Sequence, residues 1–234
     1  MPLEDQSITD PMEETGLGAL IRGVAEFQSE VFQDRKELFE TLKDGQTPEA
    51  LFITCSDSRV NPNLLTQTEP GDLFILRNAG NIIPPHGAAN GGEGATVEYA
   101  VVALGVKHII VCGHSHCGAM NGLMRADQLT EMKAVARWLQ HAEACRLIVR
   151  NKYPDLTGEE LQMQAARENV LMQIRNLQTH PVVALRLSQG QLQLHGWMYH
   201  FETGQVFAYD PAQKEFVAFT DLSGYPMPFT TLDG

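Results

Sequence analysis

Apolar positions along this chain follow two rhythms. Leu51-Phe-Ile-Thr, Leu73-Phe-Ile-Leu76 and His108-Ile-Ile-Val-Cys112 are short apolar runs bounded by turn residues, the pattern of strands buried on both faces. Elsewhere apolar residues recur three and four apart. Leu20, Ile21, Val24, Phe27, Val31, Phe32 and Leu38 predict two short helices between Leu17 and about Leu42, split near Gln33-Asp34, with Asp34 capping the second. Further helices are predicted to open at Asn61-Pro-Asn and Gly118, to run from Glu93 to Leu104, and to cover 130–148 and 158–178. Leu192 to Phe201 and Gln205 to Tyr209, separated by Glu-Thr-Gly204, read as a hairpin. Alternating strands and helices imply an α/β fold. The expected form is a single domain with a central, mostly parallel sheet flanked by helices, an N-terminal helical arm and a C-terminal β-hairpin. Residues 1–16, acidic and carrying Asp10-Pro11, form the expected loose arm, and 17–234 the domain. The Gly/Pro/Asn-rich stretch from Gly80 to Gly94 is long for a connector, which points to a functional loop.

Composition narrows the function more than the fold. A net charge of -12 and a pI near 5.0 argue against a nucleic-acid surface, which needs clustered Lys and Arg. No apolar run reaches transmembrane length, and Met1-Pro-Leu-Glu-Asp-Gln lacks the basic-then-apolar start of a secretory signal. A cytoplasmic protein without membrane or nucleic-acid partners is therefore expected. In such a setting Cys55, Cys112, Cys117 and Cys145 are expected as reduced thiols or metal thiolates rather than disulfides.

Two segments carry the candidate chemistry. Cys55-Ser-Asp57-Ser-Arg59 follows the first apolar run and His114-Ser-His-Cys117 follows the third. If those runs are parallel strands, Cys55 and His114 emerge at the same sheet edge. Cys117 lies three residues beyond His114 at the start of a helix, where the dipole favours a thiolate. Two thiolates and one imidazole make three ligands, and a three-ligand zinc site keeps a position for water, as catalytic sites do. A lone cysteine after a strand is most simply core packing. Asp57 and Arg59 beside Cys55, and His114 with Cys117, turn the reading toward metal. Cys112 inside the strand and Cys145 on an amphipathic helix read as packed thiols, and His116 as pointing away from its neighbours. Asp57 and Arg59, two apart, can pair; the guanidinium then keeps the carboxylate charged. The bland alternative is a surface ion pair worth under about 1 kcal/mol.

Cys55-Ser-Asp57-Ser-Arg59-Val, Arg77-Asn78-Ala79-Gly80-Asn81, Glu98-Tyr99-Ala100 and Gly113-His114-Ser-His-Cys117-Gly118, in this order and spacing, resemble the β-class carbonic anhydrases over about residues 20–215. The resemblance implies one Zn2+ per chain held by Cys55, His114 and Cys117, with water or hydroxide as fourth ligand. It implies that Asp57, paired with Arg59, orients the hydroxide, and that the Gly118 N–H supports a substrate oxygen. In the plant-like branch a glutamine nine residues before the first cysteine, here Gln46, donates to CO2 or bicarbonate. A phenylalanine and a tyrosine, here Phe74 and Tyr99, line the pocket, typically from the neighbouring subunit of a dimer. A second, bicarbonate-regulated branch has tryptophan three residues before that cysteine; Phe52 stands there, which favours the open, plant-like site. The loop from Asn81 to Gly94 is similar to that of cyanobacterial and related bacterial members, some of which work in carboxysomes.

The implied reaction is reversible hydration of CO2 to bicarbonate and a proton by attack of zinc-bound hydroxide, in a homodimer or dimer of dimers. His86, in the long loop, is a candidate proton shuttle by its ordinary pKa, although an exposed histidine without a role is the simpler reading. Gly91-Gly-Glu-Gly94 matches neither dinucleotide nor Walker patterns and reads as a helix-opening turn, while His195 alternates with apolar neighbours as sheet packing does. Two rivals stand beside hydration: hydrolysis of carbonyl sulfide or carbon disulfide at the same site, and a zinc scaffold with Asp57 permanently on the metal.

Overall fold

The computed structural model describes residues 15–89 and 91–230; residues 1–14 of the expected acidic arm lie outside them. The backbone divides into two compact units that meet between Gln46 and Thr47.

The first unit is helical. Helix α1 (Gly16–Glu26) is capped by Thr15, whose side chain accepts from the Gly18 N–H at 3.0 Å. It continues through a wider π turn, Phe27–Val31, and one more turn, Phe32–Asp34. The chain breaks at Arg35 (φ -114°, ψ 15°) before α2 (Lys36–Leu42). Asp34 is therefore not the cap: it ends the preceding turn, and Arg35 takes the cap position, its side chain not capping the helix. Packing of Phe32 on Phe39 (5.3 Å, stacked), with Phe27 edge-on to both, sets the corner instead.

The second unit is built on one six-stranded sheet in the order β2-β1-β3-β4-β5-β6. Strands β1 (Ala50–Cys55), β2 (Leu73–Asn78), β3 (His108–His114) and β4 (Gln193–Tyr199) run parallel. Strands β5 (Val206–Asp210) and β6 (Glu215–Ala218) close it antiparallel. The expected hairpin is β4–β5; the short β6 was not read from the sequence. The connecting helices are α3 (Pro62–Thr66), α4 (Gly92–Glu98), α5 (Gly118–Met124), α6 (Lys133–Leu139), α7 (Glu143–Lys152), α8 (Gly158–Gln178) and α9 (Pro181–Ser188). The span expected as one helix over 130–148 is two, joined by a 3-10 turn at Gln140–Ala142. No described helix is long and apolar enough to cross a membrane.

Strand β1 is buried along its whole length, as its unbroken apolar run requires. Leu51 and Ile53 face the larger core with Ile109, Val111 and Leu194; Phe52, Ile110 and Cys112 face the other side with Trp197. Helix α8 crosses the larger face at close range. A Cβ at Gly113 would stand 2.8 Å from Val170 Cγ2, and one at Gly196 would stand 3.0 Å from Val170 Cγ1.

Candidate metal centre

The parallel pairing of β1 with β3 brings the ends of both strands to one edge, and the two motifs meet there. The ligand atoms of Cys55, His114 and Cys117 all lie within 4.8 Å of one another, and none of the three residues is more than 6% exposed. His114 Nδ1 is 2.8 Å from the Ser115 carbonyl. A carbonyl only accepts, so Nδ1 carries the proton and Nε2 presents its lone pair. That Nε2 is buried without a hydrogen-bond partner. A buried nitrogen without a partner is costly unless a metal takes it, so these residues fit a metal ion.

The two thiols titrate as a pair. The first proton leaves readily: an anion on Cys55 is stabilised by the Cys117 thiol and by backbone N–H groups of Gly80 and Asp57. The second is held well above the ordinary thiol value: the Cys117 S–H donates to the Cys55 thiolate, burial penalises a charge there, and ionising it would put two anions side by side. A divalent cation removes that conflict, which is why such a pair selects for one. Cys117 is the N-cap of α5, beside the first-turn N–H groups of Ala119 and Met120. Gly118 is the exposed first residue of that helix.

Asp57 lies outside the ligand group. Its Oδ1 accepts from the Arg59 backbone N–H (3.0 Å) and Nε (2.9 Å), and Oδ2 accepts from the second arm of the same guanidinium at 2.8 Å. This bidentate grip holds the carboxyl well below the usual carboxylate range. Arg59 also donates to the His116 carbonyl at 3.2 Å, tying the two motifs together.

The supports around the ligands come from residues to which sequence reading gave no role of their own. Arg77 Nε donates to the Cys55 carbonyl (3.0 Å) and its second arm to the Asp57 carbonyl (2.7 Å). The Gly80 N–H points at Cys55 Sγ (3.4 Å). Asn169 Nδ2 holds the Gly80 carbonyl (2.9 Å), Gln173 Oε1 the Ile83 N–H (2.9 Å) and Asn176 Nδ2 the Ile83 carbonyl (2.8 Å). These three amides are buried on α8, so the long loop is fastened to that helix. Gln162 Nε2 reaches the Cys117 carbonyl at 2.8 Å. The one signal in the sequence was the amides themselves, placed on the helix face that should have been apolar.

The remaining candidates lie around this centre and away from it. His116 is exposed in the left-handed region (φ 53°), 3.6 Å from Glu202. Cys112 and Cys145 are buried thiols pushed up to about 12 by desolvation, hence packed and neutral, and all four cysteines are free. His195 bonds across the sheet to His108 (3.1 Å) and to the Tyr225 hydroxyl (2.7 Å). Gly91 caps α4, and Phe52 is wholly buried, edge-on to Trp197 at 5.9 Å. His86 is exposed, its ring 5.6 Å from His180. Gln46 is exposed at the end of the first unit. Phe74 and Tyr99 pack on each other (5.8 Å), but Phe74 pairs with Leu51 while Cys55 pairs with Asn78. Four residues of strand put Phe74 about 13 Å from the level of Cys55 in its own chain.

Comparisons with known proteins agree on one family. The family profile described as carbonic anhydrase matches residues 50–206. A carbonic anhydrase of Synechocystis sp. is 56% identical over 200 residues, covering 85% of this chain and 73% of that protein. One from Pseudomonas aeruginosa is 49% identical over 203 residues, covering 86% and 91%. The solved structure of the β-carbonic anhydrase CcaA superposes with a TM-score of 0.86 at 54% identity, covering 88% of this chain and all of that one. A tetrameric β-carbonic anhydrase of Sordaria macrospora gives 0.72 at 28% identity, covering 82% and 95%.

Proposed function

Because this chain belongs to the β-class carbonic anhydrases, and so to enzymes of reversible CO2 hydration, we propose that it works with one zinc ion held by Cys55, His114 and Cys117. The observation that carries this is the triad of buried ligand atoms with His114 Nε2 left free and Asp57 committed to Arg59. Three protein ligands leave a position open, as catalysis needs and a structural site does not. Two thiolates and an imidazole suit zinc. When bound, zinc acts as a Lewis acid that makes hydroxide available near neutral pH.

The chain's own residues then divide the remaining tasks. Arg59 keeps Asp57 ionised and turned toward the guanidinium. The free lone pairs of that carboxylate accept a hydrogen bond from the nucleophile and aim it. The Gly118 N–H, in a helical first turn without an intrahelical acceptor, supports the oxygen on which charge develops as CO2 becomes bicarbonate. Gln46 donates from its amide to the same substrate. Phe74 and Tyr99 supply an apolar wall. Since Phe74 stands about 13 Å from its own Cys55 level, the wall serves the site of a second copy, in a dimer or dimer of dimers. With Phe52 and Trp197 filling the other face of β1, the site is of the open kind, without a bicarbonate switch.

The test is stopped-flow CO2 hydration on zinc-quantified protein, beside Cys55→Ser. Activity that follows one zinc per chain and disappears with the substitution supports the proposal. Bound zinc with no hydration between about pH 6.5 and 9, a range bracketing the usual acidity of such a metal site, would overturn it. Carbonyl sulfide would then be the next substrate to try.

A further inference from the structure

Phe201, in the turn between β4 and β5, touches both halves of the metal centre. The Arg59 guanidinium carbon lies 4.4 Å from the centroid of its ring. The His114 imidazole lies 5.0 Å from that ring at 41°, and Tyr199 meets it edge-on at 5.2 Å. The ring is not placed by the turn alone. The Phe201 N–H donates to Ser115 Oγ (2.9 Å), Ser115 Oγ–H donates to Glu202 Oε2 (2.7 Å), and the Ser115 N–H donates to the Tyr199 carbonyl (2.9 Å). Ser115 is completely buried between two ligand-bearing positions. The turn is thus sewn to the His114–Cys117 segment, and the ring is presented to Arg59 from there.

Arg59 needs such a support. Its side chain is 52% exposed on a long flexible stem, and water competes for every donor it offers. A guanidinium lying over an aromatic face keeps its plane while its edge donors bond elsewhere. Here those donors reach both Asp57 oxygens and the His116 carbonyl. We propose that Phe201 is a positioning residue: its ring holds the Arg59 guanidinium in the plane that grips both oxygens of Asp57, so that Asp57 faces the nucleophile in one orientation. This rests on the role given to Asp57 and Arg59 above.

The experiment uses the full-length, zinc-loaded protein with Phe201→Leu, which removes the ring but keeps apolar volume, and Phe201→Tyr, which keeps the ring. The Arg59 Nε–H resonance, assigned by its loss in Arg59→Lys, is followed by arginine-selective NMR for exchange with solvent. CO2 hydration and zinc content are measured on the same samples. In Phe201→Leu the Nε–H should exchange faster, kcat/KM should fall about fivefold, and zinc should stay at one per chain. Phe201→Tyr should restore both exchange and rate. Unchanged exchange in Phe201→Leu, zinc lost in step with activity, or a Tyr variant as impaired as Leu would each overturn the proposal. The exchange measurement decides the point even if the parent protein hydrates no CO2, so the two readings fail separately.

Discussion

Substituting Gly113 by alanine adds a single methyl group one residue before the proposed metal ligand His114, and the structure sets the size of the effect. The new Cβ would lie 2.8 Å from Met198 Sδ, 2.8 Å from Val170 Cγ2 and 3.5 Å from the Ala166 carbonyl. Carbon contacts relax at about 3.5–4.0 Å, so roughly 0.7–1.2 Å of displacement is needed. Met198 can supply part of it through its flexible thioether. Val170 cannot: it is β-branched, wholly buried, and also packed at Gly196. The strain must move α8 away from the sheet or push β3 outward, a small-to-large change costing about 1–3 kcal/mol. For a unit of this size that lowers Tm by about 2–4 °C per kcal/mol. Because His114 follows directly, zinc affinity should fall as well.

Thermal and denaturant melts of the metal-free and zinc-loaded forms measure both effects. Gly118→Ala is the matched control, since a Cβ there meets nothing within 4 Å. It should melt within about 0.5 kcal/mol of the parent. Adding Val170→Ala to Gly113→Ala should cost less than the two changes separately, because the methyl then occupies the space that valine vacates. A Gly113→Ala protein as stable as the parent, or a strictly additive double variant, would refute the close approach of α8 and with it this account of how His114 is placed.

Four further outcomes follow from the site. Asp57→Asn should retain one zinc per chain while kcat/KM for hydration falls at least about a hundredfold; parallel loss of metal would instead make Asp57 a ligand. Arg77→Met leaves the Cys55 and Asp57 carbonyls without their donors and should cost about 1–3 kcal/mol in denaturant melts, together with a lower zinc affinity by competition with a chelator; an unchanged affinity would show that this support is dispensable. Cys145 is raised to about 12, so its neutral form stabilises the fold below the unfolded thiol value and that stability drains away as pH climbs from about 9 toward 12. Cys145→Ala should therefore lose less stability than the parent between pH 8 and 10, and equal losses would contradict the burial of that thiol. Chelating the zinc should lower Tm but leave a cooperative melt and unchanged sheet content, since Cys55 and Cys117 are minor members of a larger core of aliphatic side chains and the second core holds none of the three ligands; a metal-free chain that is unfolded would refute this.

How much of this was legible in the sequence depended on how local the signal is. Strands β1 and β3 showed as unbroken apolar runs because burial on both faces leaves no room for alternation, whereas β4, parallel to β3, alternates in burial and read as part of a hairpin. The cluster of Cys55, His114 and Cys117, which could hold a metal ion, showed because strand ends concentrate its residues in short motifs, and Asn61 showed as a cap, its side chain accepting from the Leu64 N–H, because capping is a matter of three residues. The split near Gln33-Asp34 showed to within two residues, the break falling at Arg35, but its cap did not, because packing among Phe27, Phe32 and Phe39 sets that corner; the division of 130–148 was missed, since the turn at Gln140–Ala142 interrupts an amphipathic period that runs straight through it.

The layer behind the ligands was illegible for a different reason. Phe201 meets Arg59 across 142 positions of chain, and Asn169, Gln173 and Asn176 reach a loop about 90 residues earlier. On their own helix those amides only weaken an apolar stripe, which reads as a flaw in the pattern. Their meaning lies in the loop carbonyls and N–H groups they satisfy, and no spacing rule couples the two. The flaw is nevertheless informative. A buried helix face that carries three amides must have irregular backbone against it, because only such backbone offers unpaired donors and acceptors there. Here that backbone is the Gly80–Ile83 segment, whose Gly80 N–H points at Cys55 Sγ. The polar residues that spoil the period of α8 are thus the ones that fix a hydrogen bond to a candidate metal ligand, so the interrupted pattern of that helix marks the support of the candidate metal centre.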